Sequence, residues 1–417
     1  MKLLLYSWNA NNEQILADNL TASGFELVVY DKPCKHYTRD LELASDMIPY
    51  IHAHNVEAVI SFNYFPMLSM ICNTCQIPYF SWVYDCPHFT LYARQIMLPC
   101  NRIGIFDREM VKHLQETYQV PTVFHAPLAV DTEYFERVTQ AVPTKYQCDV
   151  SFVGSLYTDE HNYYDMLGVA EGGSRVAGGS VAENGHAVTG EDPAADGNAA
   201  SASLDQVLTR QCFDYQQDYL CDALSSGEID TRVIKDKMEE QGLMLGEDYF
   251  ANPEDILLAA VLEKKVTVEE RMILLTEVAE KDFSFKLYTG SDTKKLQGLN
   301  ACNQGTVDYH TQMPLVFAAS RINLNISLRS IHSGIPLRVL DIMACGGFVL
   351  SNWQPELAEY FTEGEEIALF ESREECMEKI TYYLTHEEKR KEIAAAGKRK
   401  VQELFSYEKG LERLFGV

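Results

Sequence analysis

The stretch Ser327 to Phe361, SLRSIHSGIPLRVLDIMACGGFVLSNWQPELAEYF, decides how the chain is read. A polar loop ends in Ser333-Gly334-Ile335-Pro336. The spacing of apolar residues at 337, 339, 340 and 343–345 then predicts a helix from Leu337 to Cys345. Gly346-Gly347 ends it, and Phe348-Val349-Leu350 reads as a short buried strand. A Gly/Pro loop entering a helix gathers free backbone N–H groups at the positive end of a helix dipole, which suits a phosphate. Arg338 and Asp341 stand at i and i+3 on one face. The cation suits a diphosphate, and the carboxylate can accept hydrogen bonds from a ribose diol.

Upstream, apolar strand-like runs alternate with helical stretches. Lys2–Ser7, Phe25–Tyr30, Val56–Phe62, Ile77–Tyr84, Asn101–Phe106 and Thr122–Ala126 read as strands. Helices are expected over 13–23, 41–55, 64–75 and 108–118, and Asp131 as a helix cap. Strands that are nearly all apolar point to a parallel sheet covered on both faces. Such doubly wound sheets bind ligands beyond the carboxyl ends of their strands. Asn9, Asn11 and Asn12 follow the first strand, Asn63 and Tyr64 the third, and Asp85-Cys86-Pro87-His88 the fourth. Asp85 and His88 are the proton-transfer candidates among them.

A polar stretch over 137–147 reads as a linker, and Cys148–Val153 opens a second domain, followed by Gly154-Ser155-Leu156-Tyr157. Residues 168–203 break the pattern: 21 of these 36 are Gly, Ala or Ser, a composition that cannot bury enough surface to order itself, so a mobile insertion is expected there. The stretch 204–281 reads as acidic and helical. Strands are expected again at 283–289, 306–310, 321–326 and 367–370, with helices at 313–319, 373–384 and 387–415, the last broken near Phe405-Ser406-Tyr407. The division is 1–145 for the first domain, 146–395 for the second, and 396–417 for a helix packing back on the first.

At 417 residues two domains are the natural expectation. A net charge of −26 argues against nucleic acid and an anionic membrane surface. The eleven scattered cysteines fit reduced thiols, and Cys72-x-x-Cys75 lacks a second pair at zinc-like spacing. No apolar run approaches the ~18 residues of a membrane span, and the run in MKLLLYSWNANNE is too short for a signal peptide, so a cytoplasmic protein is expected.

The motifs DVSFVGSLY (149–157), SRINLNISLRSI (320–331), GIPLRVLDIMACGGF (334–348) and the Tyr382–Arg390 segment of the tail, with IPYFSWVYDCP (77–87), resemble bacterial spore-maturation-type glycosyltransferases. These are similar to the GT-B class with a group-1 C-terminal domain. The resemblance implies an α/β fold of two doubly wound Rossmann-like domains facing a cleft. It implies transfer of a sugar from a nucleotide diphosphate sugar, UDP-linked, to a hydroxyl of a glycan, protein or small-molecule acceptor, with no cofactor and no metal. Donor contacts are then expected at Gly154, Ser155, Tyr288, Gly290, Tyr309, His310, Arg329, His332, Ser333, Gly334, Arg338 and Asp341, and the base at Asp85, with His88 second. Gly290 would allow close backbone approach to the nucleotide. The chain departs from the pattern where Ser333 replaces the family's first acidic residue and Asp341 its Glu. The family's Arg and Lys of the second domain's first loop have no counterpart at Ser155 and Tyr157, so Arg321, Arg329 or Arg338 is expected to supply that charge. A sugar epimerase of the same fold, or a nucleotide-binding module whose catalysis has decayed, are the alternatives.

Overall fold

The computed structural model describes residues 1–158, 162–167, 204–227, 231–242 and 245–416. The low-complexity 168–203 segment lies outside them.

Six parallel strands form the first sheet: β1 (Lys2–Tyr6), β2 (Glu26–Tyr30), β3 (Ala58–Phe62), β4 (Tyr79–Val83), β5 (Asn101–Ile105) and β6 (Val123–His125). Their order is β2-β1-β3-β4-β5-β6. All five residues of β3, AVISF, are buried, because helices cover both faces of this central strand. Helix starts follow local capping chemistry. Asp40, Asp107 and Asp131 each accept a hydrogen bond from the backbone N–H three residues on, at Leu43, Met110 and Tyr134.

The second sheet is also parallel: β7 (Cys148–Val153), β8 (Phe285–Tyr288), β9 (Ser320–Asn325), β10 (Val349–Asn352) and β11 (Ala368–Phe370), in the order β11-β10-β9-β7-β8. The helix Leu337–Ala344 links β9 to β10. Gly346 ends it with φ +72°, and a Cβ on Gly347 would lie 2.8 Å from both Asn323 Nδ2 and the Phe317 carbonyl. The glycine pair is therefore required twice over, once for a left-handed turn and once for close packing.

The strand expected at 306–310 does not form. Asp308 Oδ1 accepts from the N–H and hydroxyl of Thr311, and Asp308 N donates to Gln312 Oε1. This local network turns the backbone into the helix Met313–Ala319 and outcompetes sheet pairing.

Between β7 and β8 stand the helices Leu204–Gln211, Tyr219–Ser226 and Arg232–Glu240, a short helix Pro253–Ile256, a π-helical stretch Leu257–Leu262, and the long helix Glu263–Ala279. They enclose their own core of Leu208, Leu220, Met238, Leu257 and Val261. Their lead-in strap grips the first domain: Phe250 N donates to the Tyr92 carbonyl (2.9 Å) and Arg94 N to the Asp248 carbonyl (3.0 Å). At the other end, the helix Glu387–Leu404 stays on the second domain, where a Cβ on Gly397 would lie 3.1 Å from Met343 Cε. Only the helix Tyr407–Phe415 crosses to the first domain. Phe415 packs on Phe25 and Phe80, and Gly410 lets the helix lie flat on Trp82, whose ring a Cβ would meet at 2.3 Å.

Candidate donor site at the domain junction

In both sheets the chain order reverses beside a central strand, between β1 and β3 in the first and between β7 and β9 in the second. The loops after these strands lie at the carboxyl ends of the two sheets. Three of their non-glycine residues adopt left-handed backbone: Asn9 (φ 66°), Asn63 (φ 58°) and Tyr157 (φ 55°). For a bulky Tyr this conformation is rare and marks a locally over-determined site.

The loop that opened the sequence reading is engaged differently from the phosphate site expected of it. Asp107 Oδ2 accepts from the backbone N–H of His332 (2.6 Å) and of Ser333 (3.3 Å). Ser333 Oγ lies 2.9 Å from Asp107 Oδ1 and 2.8 Å from Glu356 Oε1. A Cβ on Gly334 would lie 2.7 Å from the Phe106 ring. A carboxylate of the first domain thus occupies the amides that the sequence offers to a phosphate, because both anions answer the same N–H donors.

Asp341 is 1% exposed. Its Oδ1 accepts from the Tyr309 hydroxyl (3.0 Å), which in turn accepts from Asn12 Nδ2 of the first domain (3.1 Å). Burial pushes the Asp341 carboxyl up to about 7, against the lowering effects of Arg338 and Tyr309. A carboxyl with a raised folded pKa favours its protonated form in the fold. The penalty for ionising it is therefore absent at pH 4 and full above about 7. Asp341→Asn is expected to raise the melting temperature at pH 8 and leave it unchanged at pH 4, which thermal melts at the two pH values check.

Other expected donor residues are placed as follows. Arg338 lies against Met313 Sδ and over the Phe317 ring (5.5 Å). Arg329 is held away from the β7–β9 crevice: its Nε donates to both Glu270 oxygens (3.0 and 3.1 Å), and its Nη atoms donate to the Asp214 and Gln211 carbonyls. Its burial explains this, since a charge removed from water needs a full set of partners. Arg321 pairs with Asp149 (2.8 Å) at the start of β7, on the opposite edge from the cleft, so it cannot supply the missing charge there. His332 pairs with Glu263 (2.7 Å), whose charge raises the imidazole to about 10. The Tyr288 ring is buried with Tyr146 and Val316. Gly154 N donates to the Tyr288 carbonyl, a Cβ on Gly290 would meet Thr306 at 3.2 Å, and the His310 carbonyl accepts from the Tyr134 hydroxyl.

The cations at the β7–β9 crevice are ones the sequence reading missed. Arg271 is buried and donates to the Ser155 and Ile326 carbonyls, tying the ends of β7 and β9 together. Lys264 Nζ lies 3.8 Å from the centre of the Tyr157 ring, and the Arg271 guanidinium 5.0 Å from it. Burial, then repulsion from Arg271, lowers the Lys264 ammonium to about 8. Burial also holds Arg271 below its usual range, with Arg338 adding repulsion. Among the described residues no carboxylate pairs with Lys264 or Arg271. Two cations without a bridging carboxylate at a strand-end crevice suit an anion in chemical terms. The available signal was Lys264 and Arg271 seven residues apart on one helix face. The insertion hid it by moving this helix far along the chain from the β7 loop.

In the first domain, Asp85 is exposed, and its Oδ2 accepts from Asn63 Nδ2 (2.6 Å). Asn63 Oδ1 accepts from the N–H of Tyr84 and of Asp85, so one left-handed Asn fixes the loop that carries the acid. His88 Nε2 lies 3.2 Å from Tyr64 N and 2.7 Å from Thr90 Oγ1, and burial lowers its pKa. It acts as a neutral brace for the loop after β3. Cys86 Sγ donates across the junction to the Ser330 carbonyl (2.8 Å).

Residues 271–416 match the family described as glycosyl transferase-like. Two solved structures share the fold over essentially the full length of both chains. A glycosyltransferase from Rickettsia africae is 11% identical with a TM-score of 0.51, covering 100% of this chain and 97% of its own. A sucrose-phosphate synthase from Thermosynechococcus elongatus is 10% identical with a TM-score of 0.54, covering 100% and 98%. No curated protein sequence matches the chain. The fold is GT-B, as the sequence motifs imply.

Proposed function

From a GT-B fold whose residues 271–416 match a glycosyl transferase-like family, we propose that this protein is an enzyme that transfers a sugar from a nucleoside diphosphate sugar, UDP-linked, to an acceptor hydroxyl. The observation that carries the reading is the cation pair Lys264 and Arg271, which no carboxylate bridges among the described residues, beside the left-handed Tyr157 at the switch point of the second sheet. The diphosphate binds there, with Arg338 adding to the positive field. These groups stabilise the charge that develops on the leaving diphosphate. Asp341 takes the ribose diol, and its bond to the Tyr309 hydroxyl stands in for a ribose hydroxyl. Asp85, exposed on the loop after β4, acts as the base toward the acceptor. No metal takes part, since positive side chains meet the diphosphate. Free thiols throughout the described residues suit a cytoplasmic enzyme.

The test is incubation with a panel of nucleotide sugars, with and without excess EDTA, followed by mass detection of the released nucleotide. Slow release of UDP without acceptor, undiminished by EDTA, is expected. Thermal stabilisation by UDP with no release would instead indicate a binding module, and interconversion of the sugar an epimerase. Asp85→Asn is expected to lower turnover by about 10²–10⁴-fold, the range for general base catalysis, with UDP affinity unchanged. Normal turnover in that variant would remove Asp85 from the role.

A further inference from the structure

Asn63 is the first residue after β3, and Asp85 is the second after β4, the neighbouring strand. The pairing of Phe62 with Trp82 brings the two chains side by side into these loops. Asn63 leaves its strand in left-handed backbone (φ 58°), which Asn and Asp tolerate better than other side chains. Its N–H donates to the Trp82 carbonyl (2.9 Å), and its own carbonyl accepts from Ser61 Oγ (2.7 Å). The residue is 3% exposed.

The side-chain amide is used at both ends. Its Oδ1 accepts from the N–H of Tyr84 (3.1 Å) and of Asp85 (3.2 Å), and two backbone donors fix that end as the oxygen. Nδ2 is therefore the end turned to Asp85 Oδ2, at 2.6 Å. Asp85 Oδ1 meets no donor among the described residues, and no Lys or Arg pairs with this exposed carboxylate there. One oxygen is held and the other is left free. A cation in place of the amide would hold the group as firmly, but it would offset the charge and weaken the carboxylate as a proton acceptor. The titratable neighbours of Asp85 are Tyr84 and His88, with Glu13 beyond Tyr84, and a substitution at position 63 leaves them in place.

We infer that Asn63 is a positioning residue for sugar transfer, acting through Asp85. The inference rests on the reading of Asp85 as the base. In that step Asp85 Oδ1 takes the proton of the acceptor hydroxyl as the acceptor oxygen bonds to the anomeric carbon. The bond from that carbon to the diphosphate breaks, and its electron pair leaves with the diphosphate. Asn63 touches none of the reacting atoms and sets where Oδ1 stands.

The experiment follows acceptor-free UDP-sugar hydrolysis across pH, with water as acceptor, alongside UDP affinity. It compares the wild type with N63G, N63D, D85N and the double variant N63G/D85N. Glycine keeps the left-handed backbone and loses the amide. N63G is expected to lower turnover by about 10²-fold, the cost of a reacting group displaced by about 1 Å, with UDP affinity unchanged. Aspartate keeps the backbone and an oxygen for the two N–H groups, but sets a second carboxylate against Asp85. Two carboxylates that close do not both ionise freely, so one titrates higher. N63D is expected to move the acid limb of the pH profile up by at least about one unit. A residue that only braced the loop would leave that limb in place, and N63D carries the test should N63G melt early. In the D85N background N63G is expected to cost nothing further, because the amide acts only through Asp85. An unmoved acid limb in N63D, or the same loss from N63G with and without Asp85, overturns the role of Asn63 and leaves a D85N defect to support the base. Normal turnover in D85N overturns the base reading and this role with it. No hydrolysis by the wild type overturns the transferase reading on which both stand.

Discussion

Lys264→Met is expected to cut nucleotide-sugar turnover by about 10²–10³-fold, the loss seen when one donor to a developing anion is removed. The substitution keeps the length of the side chain and its contact with the Tyr157 ring while removing the charge. The free protein should not suffer, because the ammonium is half-buried and repelled by Arg271. Its melting temperature is expected to hold or rise, which separates loss of binding from loss of fold. The same lysine sets a pH dependence. With the ammonium lowered to about 8 in the free protein, it is charged below that pH and neutral above. UDP affinity is therefore expected to fall as pH rises through 8, and this slope should vanish in Lys264→Met. Isothermal titration across pH 6.5–9.5 reads both. A flat profile in the wild type would remove Lys264 from the diphosphate site.

Asp107→Ala should be the most destabilising single change at the junction. The carboxylate is 2% exposed, caps the helix Arg108–Tyr118 and holds the N–H groups of His332 and Ser333. Losing a cap costs ~0.5–2 kcal/mol, and each buried amide left unpaired ~1–3 kcal/mol. A loss of about 3–5 kcal/mol in urea unfolding is expected, against about 1 kcal/mol for Asp131→Ala, which removes a helix cap and one long bond from Asn19 Nδ2 (3.5 Å). Equal losses in the two variants would mean that the contact across the domains contributes nothing.

Much of the fold was legible in the sequence. The near-continuous apolar runs AVISF and CDVSFV could only be strands buried on both faces, and their alternation with helices implies parallel sheets. Asp131 was readable as a cap because capping is a bond three residues long. The 306–310 stretch misled because Val307 and Tyr309 alternate like a strand, while Asp308 and Gln312 form a turn that only the geometry of their bonds reveals.

The candidate site was legible in part. Arg338 and Asp341 were named from a Gly/Pro loop entering a helix, Asp85 from the end of a strand, and Tyr309 from the end of a strand that does not form; Tyr309 joins Asp341 to Asn12 of the first domain, and Asp85 is held by Asn63. Their partners were not legible. Which carboxylate meets Arg329, and whether the 332–333 amides stay free, depends on Glu270 and Asp107, far away in the chain. The charge sought near the β7 loop was supplied from Lys264 and Arg271, more than 100 residues beyond Tyr157. By itself, then, the sequence determined the two doubly wound domains, the strand-end loops and the helix Leu337–Ala344, because these follow from local periodicity and short-range bonds. Only the tertiary structure decided which loop holds an anion. Burial and electrostatic pairing are set by what the other domain and the insertion bring within a few ångströms, and no local pattern encodes that.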